Sequence, residues 1–174
     1  MLALLQRMPS LPSGFSPLQH LGHEDARVRR EALPLALRVP GAREEALRTA
    51  LDDPDERVVR MALLELQEGV PASVLPVLVE KGLREPRFPE LGSLAARALT
   101  GSRDSRARDA LVERCREGEG LAPRDPTLLS ALVALATGWQ GDPQARSVLQ
   151  LARDSDDPRV VAALDRVSRR GSTS

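Results

Sequence analysis

Two stretches of the chain read alike thirty residues apart, and that period constrains the fold more than any other feature. The first is His23-Glu24-Asp25-Ala26-Arg27-Val28-Arg29-Arg30-Glu31-Ala32-Leu33, and the second is Pro54-Asp55-Glu56-Arg57-Val58-Val59-Arg60-Met61-Ala62-Leu63. A third echo, Asp157-Pro158-Arg159-Val160-Val161-Ala162-Ala163-Leu164, lies further on. A repeat of about this length implies a stacked array, because one unit alone has no surface on which to bury its apolar face.

Apolar residues recur at i, i+4, i+7 and i+8, as in Val28, Ala32, Leu35 and Ala36, which places them on one helical face. Helical spacing recurs in the later blocks, with no sustained period-two alternation. Aromatic residues make up only 2% of the chain, so its core is left to Leu, Ala and Val, which suits close-packed helices. The expected class is all-α. Helices are predicted to pair as 26–38 with 42–51, 55–68 with 72–83, 89–100 with 104–117 and 126–137 with 143–153, with a last one from 158.

The breaks carry start and stop chemistry. Asp53-Pro54 with Glu56 reads as a cap, a first-turn proline and an acid reaching back to the cap. Asp125-Pro126, Asp142-Pro143 and Asp157-Pro158 repeat the start. Gly41, Gly101, Gly118, Gly120, Gly138 and Gly141 fall where periodic runs end, as C-terminal caps do. Pro34 and Pro76 lie inside predicted helices, which each should bend or shorten. Residues 16–21 read as a shortened second helix, with 1–8 as its degenerate partner. Three segments follow: a degenerate N-terminal repeat or cap over 1–22, the array over 23–170, and a disordered tail over 171–174.

The Asp-Pro-Asp-x-x-Val pattern followed by Arg and Ala-Leu resembles HEAT repeats, closest to the short phycobilisome-lyase-like kind. The likeness is best over 23–83, extends to 142–170, and rests on helix pairing alone over 84–141. It implies a right-handed α-solenoid of about five HEAT-like helix pairs, acting as a non-catalytic protein-interaction scaffold or adaptor. In that family an Asp at the start of the first helix and an Arg after the Val form a ladder between repeats. Asp25 and Arg29 match it, whereas Val59 and Val161 stand where further arginines are expected.

Twenty-five basic residues balance twenty-five acidic ones, so net charge gives no case for nucleic acid or an anionic membrane. No run approaches the roughly 18 apolar residues of a membrane span, and the single cysteine, Cys115, excludes an internal disulfide and fits a reducing compartment. A cytoplasmic location is expected. No catalytic constellation, glycine-rich phosphate loop or zinc motif is legible, so neither an enzymatic activity, a cofactor nor a small-molecule substrate is expected. His20 and His23 fall short of the three or four ligands of a tight metal site.

Removing the apolar stripes from the second helix of each pair leaves Glu45, Arg48, Val77, Lys81, Asp109, Glu113, Arg146 and Gln150 as the expected protein-partner face. All the basic residues except Lys81 are arginines, whose forks match phosphates as well as carboxylates. The alternative reading is therefore nucleic-acid binding through Arg27, Arg30, Arg103, Arg106 and Arg108, provided that the neighbouring acids point elsewhere.

Overall fold

The computed structural model describes residues 5, 8, 11–12, 14–117 and 125–171. Among them there are only helices, turns and loops, with no strand, so the chain is all-α. The helices are α1 (Ala26–Leu37), α2 (Arg43–Leu51), α3 (Glu56–Glu65), α4 (Leu75–Val79), α5 (Gly92–Ala98), α6 (Ser105–Glu117), α7 (Pro126–Gly138), α8 (Pro143–Arg153) and α9 (Pro158–Gly171). The expected boundaries hold to within a residue for α1, α2 and α6 to α9. The helix expected over 72–83 begins at Leu75 and continues into a π-helical turn, Glu80–Arg84. The one expected over 89–100 is α5 with a 3-10 turn at each end. Apart from Leu5 and Met8, the expected helix at 1–8 lies outside the described residues, as do Gly118, Gly120 and the tail at 172–174.

The chain forms two compact units, Met1–Leu63 and Leu64–Ser174. In the first, α1 packs on α2 and on a 3-10 helix, Pro17–Gly22, that replaces the α-helical turn expected at 16–21. Leu33, Leu35, Leu47 and Val58 are fully buried here. Pro34 lies inside α1, which stops at Leu37, whereas Pro76 falls in the first turn of α4, where its missing N–H leaves no helical bond unmade. Of the described glycines expected at helix ends, Gly41 alone has a left-handed backbone, with φ of 78°.

Charge fixes the first unit as much as burial does. Arg29 on α1 donates from Nε and Nη2 to the two oxygens of Asp53 at 2.7 and 2.8 Å, while Nη1 donates to the carbonyl oxygens of His23 and Glu24. Both side chains are over nine-tenths buried. This corrects the expected cap at Asp53. Asp53 takes up Arg29 with both oxygens and, of the backbone, accepts the Asp55 N–H, whereas Asp55 caps α3 by accepting from Arg57 and Val58. Glu56 accepts from Arg60 one turn on and does not reach back.

The second unit has two layers. Helices α5, α7 and α9 pack one on the next, and so do α4, α6 and α8, with α7 also touching α6 and α8. Glycines set the closest approach. A Cβ at Gly92, which opens α5, would lie 2.4 Å from Thr127 Oγ1 at the start of α7. One at Gly138, which ends α7, would lie 2.6 Å from the carbonyl oxygen of Thr100, just beyond α5. Start meets start and end meets end, so α5 and α7 run parallel, with a glycine contact at each end.

Two stability predictions follow from these contacts. Replacing Arg29 with Met, or Asp53 with Leu, strands the other charge and costs about 3 kcal/mol, the low end for a buried pair because this one borders a solvent-facing cup. The double variant recovers most of the loss, which a denaturant double-mutant cycle measures. Gly138→Ala costs about 1–3 kcal/mol by overpacking. Gly92→Ala has a similar cost and is partly rescued by Thr127→Ala, which removes the two nearest atoms; thermal melts of the three variants check this.

Candidate functional site

Among the depressions on the described surface, three differ in how fully the side chains that line them are already engaged. The first, about 700 Å³, lies in the first unit between the loop at His23 and the end of α2. Arg29 and Asp53 are committed there to each other, and the exposed Arg48 shares the cup with Glu24 and Asp52, so its charges are mixed. His23 accepts the Asp25 N–H at Nδ1 and His20 stacks on Phe15, so the two histidines have separate structural partners. Among the described residues, no three His, Cys, Asp or Glu side chains are placed to hold a metal ion.

The second depression, about 350 Å³, lies in the second unit against α6 and is lined by ion pairs. Arg108 donates to Asp109 and, across to α8, to Asp142 at 2.7 Å. Asp109 holds the Arg108 guanidinium above its usual range, with Asp142 adding to the effect. Asp142 caps α8 by accepting from Gln144 and Ala145. The Ala145 N–H, then Arg108, keep the Asp142 carboxyl below the usual carboxylate range. Glu113 accepts from Arg84 at 2.7 Å. Nearby, Arg114 bonds Asp125, the cap of α7.

The third, about 460 Å³, is a groove between α8 and α9 and is the candidate site. On α8, Arg146, Leu149, Gln150 and Arg153 follow the i, i+3, i+4, i+7 spacing of a single helical face. From α9 come Leu164 and Val167, and Ala136 of α7 closes the floor. Ala136, Leu149 and Leu164 are buried, Val167 is half-buried, and the two arginines are exposed. No carboxylate lines the groove. Arg146 donates to the Gly141 carbonyl and Gln150 lies 3.4 Å from Asp154, but neither arginine forms an ion pair among the described residues.

The expected partner face is thus distributed over several places. Arg146 and Gln150 come together in the groove, Asp109 and Glu113 line the second depression, and Arg48 borders the cup. Glu45 is exposed on α2, Val77 is half-buried on α4, and Lys81 is exposed in the π-helical turn. The groove also contains Arg153, Leu164 and Val167, which are not part of the expected face. Arg153 was legible seven residues after Arg146, while the other two needed the packing of α9. Of the arginines proposed for nucleic acid, Arg106 is bound by Asp104, which it holds down to about 2, and Arg108 is engaged as above. Arg30 bonds its own helix and lies 4.0 Å from Asp55, which leaves Arg27 and Arg103 as exposed members of the set. Cys115 is buried, and no described helix is long and apolar enough to cross a membrane. No protein-family model, curated protein or solved structure matches the chain.

Acid should loosen the α6–α8 tie. Because Asp142 is held below its unfolded value, its contribution to stability is complete above about pH 4 and is lost as pH falls below that. Thermal midpoints measured against pH should fall through this window, and Asp142→Asn should flatten that fall while lowering the midpoint at neutral pH.

Proposed function

We propose that this chain is a non-catalytic, cytoplasmic protein-interaction adaptor, built as a right-handed α-solenoid of about five HEAT-like helix pairs. The thirty-residue repeat and the two-layer order of the second unit, first helices on first and second on second, support the architecture. One observation carries the function: the α8–α9 groove combines a buried apolar floor with two arginines that no internal carboxylate neutralises. In a chain with equal numbers of acids and bases, Arg29 and Arg108 in the other depressions and Arg84 beside one of them are each tied to an acid. A partner surface needs such side chains kept available, with electrostatics setting specificity and rate of encounter.

The immobilised chain, exposed to nuclease-treated native lysate, should retain a discrete protein in roughly equal molar amount. That protein, purified, should reform a binary complex with the chain in analytical ultracentrifugation. Retention of nothing, or of proteins only from lysate left without nuclease, overturns the adaptor reading.

A further inference from the structure

From the α8–α9 groove, and resting on the adaptor reading, we infer that the partner presents an acidic amphipathic helix, with one apolar anchor between two carboxylates about two turns apart. The spacing comes from α8. Arg146 and Arg153 are seven residues apart on one face, which at about 1.5 Å per residue separates their backbone positions by about 10 Å. A helix laid along the groove meets both when it carries acids at i and i+7, a separation that repeats on one helical face. Between the arginines, Leu149 faces inward and Gln150 sits at the rim, where it can hydrogen-bond a polar group on the visiting helix.

The floor fixes the apolar part. Leu149 and Leu164 are already nineteen-twentieths buried or more, so the apolar area left open is centred on half-buried Val167 and suits one Leu-sized anchor better than a continuous stripe. Affinity therefore depends heavily on the charge pairs, which the adjoining apolar floor partly shields from water. Asp154 faces Gln150 from the end of α8 and disfavours a third acid beyond Arg153, which sets the length of the acidic motif. A phosphodiester backbone would satisfy the arginines but leave Val167 and the floor without a counterpart.

The probe is a fluorescein-labelled synthetic helix with Glu at i and i+7 and Leu at i+3, alongside its twin with Lys for Glu, titrated with the full chain by anisotropy. The Glu helix should bind, and Arg146→Glu with Arg153→Glu should weaken it at least about tenfold while improving the Lys twin, a charge swap that loss of folding cannot mimic. Val167→Arg, which fills the floor while adding positive charge, should also weaken the Glu helix. Equal binding of both helices, indifference to the charge reversal, tighter binding of a single-stranded oligonucleotide to the same arginines, or self-association of the chain that the reversal abolishes would each overturn the inference. A captured partner that still binds the charge-reversed chain removes this inference and leaves the adaptor reading standing, whereas absence of any binary partner removes the adaptor reading itself.

Discussion

A carboxylate that serves both a helix start and an arginine on another helix is the interaction on which the rest depends. Asp53, Asp125 and Asp142 each accept from a backbone N–H at or just before a helix start and from an arginine on an earlier helix. The arrangement answers two needs at once. A helix start has unpaired N–H groups, and an arginine on a packed surface needs a partner for its charge. Since one side chain meets both, the beginnings of α3, α7 and α8 are each positioned relative to an earlier helix. Apolar burial then fills a frame whose corners are already pinned.

The groove stands out against this background. The other depressions carry acids in their linings, Glu24, Asp52 and Asp53 in one and Asp109 and Glu113 in the other, whereas the α8–α9 groove has none. Its arginines extend from a helix whose cap, Asp142, is held by Arg108 from α6. The groove is therefore held by the same ionic frame that it leaves unmatched at its rim, so its two arginines extend from a firm base.

Helix positions were legible because their determinants are local. The Asp-Pro starts at 125, 142 and 157 and the 3.6-residue apolar spacing act within a few residues of where they appear. What decided the cap of α3 acts at a distance. Both Asp53 and Asp55 have the right chemistry; Asp53 commits both oxygens to Arg29, twenty-four residues earlier, and it is Asp55 that accepts from the first-turn N–H groups. The turn at 17–22 closes as a 3-10 helix after Pro17, a choice that six residues do not announce. Half of the groove was readable as the outer face of α8. The other half, Val167 and Leu164 facing Leu149, exists only once α9 lies beside it.

The glycine contacts between α5 and α7 also limit how this sequence can change over time. Thr127 and Gly138 are eleven positions apart, about three whole turns, so both face α5 from the same side of α7. Inserting or deleting one residue between them would rotate one contact by about 100° relative to the other and bring a side chain against the Thr100 carbonyl. The number of residues between these two positions is therefore fixed. The length of this helix is thus written into its neighbour, and a change in one requires a matching change in the other.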